Sequence, residues 1–377
     1  MIPFARISKY GNSVKIKNIV DIQVSRSHAL VLDSDGNLWG RGTNTNNILN
    51  NSLITTTSTF VLVDTGVSAM FCGYQFTMYV KNTTLYRIGV AVSFDSGGVV
   101  SVPTVMTLPF SAINIKKIQC STNASAMILL NDGTLYFRGA GTNGRFGNAS
   151  TGLISTWTLS SKNNIKDMFH TFVTSEGSSA YSTLLLNDGT VWGAGSVRAV
   201  GTGFGFGTYI STTAWIQRTA ASNIVQIACG SGASIMYLDD TGTLYGDGNL
   251  NGELDGNLNR PTFNNTLMAS GVKLFGLNYE SSYYVLTATP TVLNAGGRNV
   301  NRTSSFDSVG SYVGRANKNV DEVITKIYTP STESATSIQY ISLQKTGVVM
   351  GGNSLAYQLG VNTGNINLVK STLVGVS

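Results

Sequence analysis

The amino-acid sequence predicts an all-β fold: a seven-bladed β-propeller of four-stranded antiparallel blades, with residues 1–377 forming one domain. Three observations predict it. A hairpin signature recurs along the whole chain, the polar residues are mostly Ser, Thr, Asn and Gly, and no stretch sustains a 3.6-residue apolar period.

The hairpin is the strongest element. Five segments share an apolar run, a short polar turn and then an aliphatic residue, usually followed by an aromatic. They are Ala29-Leu-Val-Leu-Asp-Ser-Asp-Gly-Asn-Leu-Trp-Gly40, Met127-Ile-Leu-Leu-Asn-Asp-Gly-Thr-Leu-Tyr136, Thr183-Leu-Leu-Leu-Asn-Asp-Gly-Thr-Val-Trp192, Ile235-Met-Tyr-Leu-Asp-Asp-Thr-Gly-Thr-Leu-Tyr245 and Tyr340-Ile-Ser-Leu-Gln-Lys-Thr-Gly-Val-Val349. Their Asp-Gly or Thr-Gly pairs supply the positive φ of a tight turn. Two weaker copies, 78–86 and 284–293, fill the gaps. The aliphatic residues after the turns are Leu38, Leu85, Leu135, Val191, Leu244, Val292 and Val348, separated by 47 to 56 residues.

Further strands flank the hairpins. Upstream lie Ile19–Val24, Ile115–Cys120, Ile224–Cys229 and Val323–Tyr328; fourth strands are expected near Thr59–Val63, Pro103–Thr107, Trp215–Arg218 and Pro261–Phe263. Four short antiparallel strands repeated seven times close radially and protect their edges. A solenoid would want polar caps at its ends. Here both ends read as blade strands, Pro3–Ile7 and Asn367–Lys370, and one of them is expected to complete a blade begun at the other end.

Composition agrees. The chain is 42% apolar, which gives ample core, but only 12% charged, about half the usual fraction. The formal charge of +6 is small for this length. The basic clusters, Arg6, Lys9, Lys15 and Lys17 and then Arg298, Arg302, Arg315 and Lys318, are too sparse for a nucleic-acid face and read as solvated surface. The start lacks the basic and apolar regions of a secretory leader, and no run of about eighteen apolar residues could span a membrane as a helix. No nucleic-acid partner, membrane insertion or secretion is expected.

The consensus, apolar-x-x-Ile-x-Cys-Gly and later Leu-x-Leu-x-Asp-Gly-Thr-Leu-Tyr-x-x-Gly-x-Asn-x-x-Gly-x-Leu-Gly, resembles the repeat of the regulator of chromosome condensation family. The fullest matches run from Ile118 to Gly147 and from Ile227 to Gly256, and His28 stands where that family usually carries a His before its central strand. The resemblance covers essentially the whole chain and implies the propeller. The family's founding member is a nuclear exchange factor for a small GTPase that docks on chromatin. This sequence departs from it in its low charge and its lack of a basic tail. Its uncharged polar filler is similar to that of bacteriophage tail and adhesion proteins.

The chemistry-bearing residues fall on scaffold positions. Cys72, Cys120 and Cys229 share one register of the repeat, so rotation about the axis keeps them apart and predicts three buried free thiols. His170 occupies that same register, and no close-spaced Cys/His pair suggests a metal site. Asp35, Asp132, Asp188 and Asp240 are turn residues. Glu253 and Asp255 stand together without a partner for hydrolytic chemistry, and the glycine-rich stretch 201–207 does not lead from a strand into a helix. No catalytic residue, cofactor or metal is expected.

Binding is the expected activity. Insertions interrupt the repeat at 89–101, 171–181, 196–214, 296–319 and 329–337, and loops on a rigid scaffold are where recognition residues sit. The binding residues expected are Arg198, Phe204, Phe206 and Tyr209, whose aromatic rings could stack on a glycan or insert into a partner protein. The sequence reading is a non-enzymatic virion protein, a propeller in a phage tail or tail fibre that contacts other virion proteins and a host surface receptor or glycan. The alternative is an intracellular interaction module resembling the exchange-factor branch of the family.

Overall fold

The computed structural model describes residues 16, 19–25, 27–90, 98–121, 124–170, 180–196, 211–218, 221–230, 234–248, 263–277, 281–297, 315–319, 323–328, 338–343, 348–354 and 364–371. The described strands pair into seven four-stranded antiparallel sheets, each made of four consecutive strands. The first takes β1 (Ile19–Val24), β2 (His28–Asp33), β3 (Leu38–Thr43) and β4 (Thr56–Asp64). The second takes β5 (Val67–Cys72), β6 (Phe76–Lys81), β7 (Thr84–Gly89) and β8 (Val100–Val105). The third takes β9 (Ile115–Ser121), β10 (Ser125–Leu130), β11 (Leu135–Ala140) and β12 (Leu153–Leu159). The fourth takes β13 (Ile165–His170), β14 (Tyr181–Leu186), β15 (Val191–Ser196) and β16 (Ser211–Gln217). The fifth takes β17 (Ile224–Cys229), β18 (Ile235–Asp239), β19 (Leu244–Gly248) and β20 (Phe263–Ala269). The sixth takes β21 (Val272–Leu277), β22 (Ser281–Leu286), β23 (Val292–Gly297) and β24 (Arg315–Asn319). The last takes β25 (Lys326–Tyr328), β26 (Ile338–Leu343), β27 (Val348–Ser354) and β28 (Gly364–Ser371).

This is an all-β propeller of four-stranded antiparallel blades. The first strand of each sheet touches the first strand of the next, so these strands line the axis. Lys326 on β25 reaches to 3.9 Å from Asp21 on β1, which brings the last sheet beside the first. Each marker residue opens the third strand of its sheet, except Leu85, which is the second residue of β7.

Two strand assignments need correction. Among the described residues no terminal strand crosses to the other end of the chain: β28 pairs with β27 of its own sheet, and β4 completes the first sheet. The reason is spacing, since the last hairpin is followed by enough chain to return a fourth strand locally. Residues 3–7 lie outside the described residues. The fourth strand of the fifth sheet also runs Phe263–Ala269 and not 261–263, with Ala269 opposite Leu244.

The core is not central but divided among the seams. Leu30, Leu32 and Leu38 of the first blade pack on Val67, Met70 and Tyr79 of the second. Met127, Leu129 and Phe137 of the third pack on Met168, Leu184 and Trp215 of the fourth. Second strands are therefore buried on both faces, and β2 and β10 are buried throughout, as continuous apolar runs demand.

The turn glycines bind blade to blade. Gly36, Gly133, Gly189 and Gly242 have φ between 77° and 83°, and their carbonyls accept the N–H of Val67, Ile165, Ile224 and Val272, the first residue of the next inner strand. A Cβ on Gly133 would lie 2.8 Å from that Ile165 nitrogen. One residue therefore supplies both the turn and the joint between blades.

Turn length decides which carboxylate holds the turn. In the shorter turns, Asp132 and Asp188 accept the N–H of Thr134 and Thr190. The longer turns begin on an Asp, and there Asp33 and Asp239 accept two N–H groups each, from Asp35 and Asn37 and from Thr241 and Thr243. Asp33 and Asp239, rather than Asp35 and Asp240, are the holding groups in those two turns.

Candidate functional site

A propeller offers its partners two ends, and the strand directions show what each carries. Every inner strand starts at one end, which we term the turn end because the hairpin turns after the second strands also lie there. The connections from first to second strand and from third to fourth lie at the opposite, loop end. All five insertions fall in such connections. The range 89–101 covers the connection 90–99 from β7 to β8, 196–214 covers 197–210 from β15 to β16, and 296–319 covers 298–314 from β23 to β24 together with β24 itself. Residues 171–181 join β13 to β14, and 329–337 join β25 to β26. The variable segments therefore leave from a single end. Arg198, Phe204, Phe206 and Tyr209 lie outside the described residues, as do Glu253, Asp255, Arg298 and Arg302; Ser196 and Ser211 mark where the strands beside the first four stop.

In the first and third blades the connection from third to fourth strand is shaped by left-handed residues. Asn46, Asn47 and Asn50 in the first blade match Asn143, Gly144 and Gly147 in the third, all at positive φ. Asn47 reaches the second blade by donating to the Ser101 carbonyl at 2.6 Å, and Gly144 packs against the Thr213 backbone of the fourth blade. The connections at this end are thus built to contact their neighbours.

The two histidines are seam braces. His28 Nδ1 lies 3.1 Å and 3.0 Å from the hydroxyls of Ser25 and Ser27, and Nε2 lies 2.9 Å from the Thr77 hydroxyl in the second blade. His170 does the same at the seam between the third and fourth blades, with Nε2 2.8 Å from Ser125 in the third blade and Nδ1 2.8 Å from Ser182 in its own. Burial holds His28 neutral, with its pKa lowered to about 3; burial, with the nearby Arg145 guanidinium, lowers His170 well below its usual range. All three cysteines are free and buried. Burial pushes the Cys72 and Cys229 thiols up to about 12 and Cys120 well above its usual value, so none is a ready nucleophile.

A second buried polar group joins the fourth and fifth blades. Arg218 places Nε 2.7 Å from Asp247 Oδ2, and its Nη2 donates to Asp247 Oδ1 at 3.0 Å. The guanidinium also donates to the Tyr237 hydroxyl at 3.2 Å. Both charged side chains are buried, so the pair is a structural joint.

Sequence reasoning missed the axial residues at the turn end. Six inner strands carry a register irregularity that skips their second residue, at Ile19/Asp21, Val67/Ala69, Ile115/Lys117, Ile165/Asp167, Ile224/Gln226 and Val272/Leu274. The bulge leaves second and third residues together at the axis. Third-position charges meet across blades: Lys117 Nζ lies 2.7 Å from Asp167 Oδ1, and Lys326 Nζ lies 3.9 Å from Asp21 Oδ1. The signal was the run Ile-Lys-Lys-Ile at 115–118, where two adjacent lysines break the period of two.

Among the described residues there is no group of three or more His, Cys, Asp or Glu side chains able to hold a metal, and no helix long and apolar enough to cross a membrane.

Comparison with known proteins agrees with this architecture. Residues 19–48, from β1 into the connection after β3, match the profile of the Regulator of chromosome condensation (RCC1) repeat. A search of curated proteins returns no match. Among solved structures the chain is similar to human WBSCR16, with a TM-score of 0.67 and 12% identity over 87% of this chain and 88% of that one. It is also similar to Prp20p from Saccharomyces cerevisiae, with a TM-score of 0.64 and 14% identity over 90% of this chain and 83% of that one. The same yeast protein in a structure with Kap60 gives a TM-score of 0.63 and 15% identity over 90% and 81%.

Proposed function

We propose that this chain, an RCC1-type β-propeller, is a non-enzymatic protein-interaction module that presents its partner-binding segments at the loop end of one seven-bladed ring spanning residues 1–377. The observation that carries this reading is the confinement of all five insertions to connections at that end, over blades whose seams are tied by repeated glycine, histidine and lysine contacts. A rigid frame with variable segments at one end is an arrangement for recognition. The histidines and thiols support a non-catalytic role, because they serve the seams. Yeast Prp20p, which shares the fold, is described by its binding to Gsp1p and histones, and a protein partner is what we carry over from it.

Composition supports a second setting for the same module. With 12% charged residues and Ser, Thr and Asn between its apolar positions, the chain suits a phage tail or tail fibre whose loop end meets another virion protein or a host receptor.

Replacing residues 202–209 by a short Gly/Ser turn tests the reading. The shortened protein should fold with unchanged thermal stability and lose a partner that the intact chain retains. In a virion, loss of adsorption with normal particle incorporation identifies receptor binding, and loss of incorporation identifies a structural joint. Unchanged partners, incorporation and adsorption would refute a role for this segment.

A further inference from the structure

The turn end carries a feature that the loop-end reading does not use. At the second position of the inner strands stand Val20, Ser68, Lys116, Lys166, Val225 and Lys273, with Thr325 at the equivalent place just before β25. Lys116, Lys273, Val20 and Val225 are exposed and Lys166 is half-buried. One step deeper, at the third position, Lys117 is matched by Asp167 and Lys326 by Asp21. Those charges cancel in pairs. The second-position lysines have no such match: among the described residues no carboxylate lies within ion-pair distance of Lys116, Lys166 or Lys273. Lys116 is held over the mouth by donating to the Lys166 carbonyl at 2.6 Å. The described charges at the mouth thus leave three positive charges in surplus, beside exposed valines.

We propose that this axial mouth binds a carboxylate-rich peptide segment of a partner protein, at the end of the propeller opposite the insertions. The charge layout selects the class of ligand. Around the mouth, the exposed hairpin turns present Asp35, Asp132, Asp188 and Asp240. A broad polyanion such as duplex nucleic acid would lie across that acidic border and be repelled by it. A narrow acidic peptide reaches the lysines without touching the border, and the valines supply apolar contact to its side-chain stems. Complementarity of this kind sets register and association rate more than raw affinity, so the expected binding is weak to moderate and salt-dependent.

The probe is fluorescein-labelled hexaglutamate, titrated against the full chain by anisotropy at about 50 mM salt and again at about 300 mM. Saturable binding that weakens with salt is expected. Lys166→Gln with Lys273→Gln should weaken it several-fold, and adding Lys116→Gln should bring the loss to about tenfold or more, as three solvent-screened charges imply. Circular dichroism and thermal unfolding of the variants should match those of the parent. Asp132→Asn at the border should leave binding equal or tighter. Absence of saturable binding to the parent would overturn the proposal, as would equal binding by the triple variant. Tighter binding of a DNA duplex, lost in the triple variant, would replace it with a nucleic-acid site.

Discussion

The buried histidines make stability depend on pH in a calculable way. In the unfolded chain each has an ordinary pKa near 6.5, whereas His28 in the folded chain titrates near 3 and His170 well below 6.5. The folded state resists protonation, so the unfolded state binds more protons as pH falls. The stabilisation that neutral His28 provides is present in full above 6.5 and is lost progressively down to about 3. At 1.36 kcal/mol per pKa unit, the loss at pH 5 is about 2 kcal/mol for His28, and His170 adds a loss of the same sign. The assay is urea unfolding at about pH 7.5 and pH 5, for the parent, His28→Gln, His170→Gln and the double variant. His28→Gln should remove about 2 kcal/mol of the pH difference and His170→Gln should also reduce it, whatever the stability of either variant at the higher pH. Carboxylates cancel in this comparison because they are common to all four proteins. A pH difference unchanged by either substitution would refute the placement of the histidines as neutral seam braces.

Other perturbations test other joints. Gly139→Ala should lower the thermal midpoint, at a cost of about 2 kcal/mol or more, because Gly139 has φ 109° and its Cβ would lie 2.3 Å from the Ala124 carbonyl. Asp247→Ala strands the buried Arg218 and should cost about 3–5 kcal/mol by denaturant unfolding, with the Arg218→Met/Asp247→Leu double variant recovering much of it. Alkylation should modify three thiols in denaturant and almost none in the native protein within the same time, followed by intact-mass measurement.

Parts of this architecture were legible in the sequence because one physical cause dominated them. The five strong hairpins carry Asp-Gly or Thr-Gly turns after an apolar run, so turn chemistry and apolar pattern coincide at each. The inner strands were legible where a closing Cys marked them, as at Ile115–Cys120 and Ile224–Cys229. Outer strands were harder. β12 reads Leu-Ile-Ser-Thr-Trp-Thr-Leu with Leu153 and Leu159 exposed, and β8 contains Pro103 and exposes Val102 and Val105. An outer strand pairs along one edge only, which relaxes both its alternation and its tolerance of proline. The insertions were visible as breaks in the repeat, but their shared end follows only from strand direction. The axial lysines were hidden because the bulge brings neighbours, not alternate residues, to one surface.

The central claim is that partners meet the loop end. Cross-linking mass spectrometry of the full chain in its native assembly tests it most directly. Partner cross-links should concentrate on the connections 90–99, 171–180, 197–210, 298–314 and 329–337. Cross-links confined to the outer strands β4, β8, β12, β16 and β20, with none on those segments, would contradict the account.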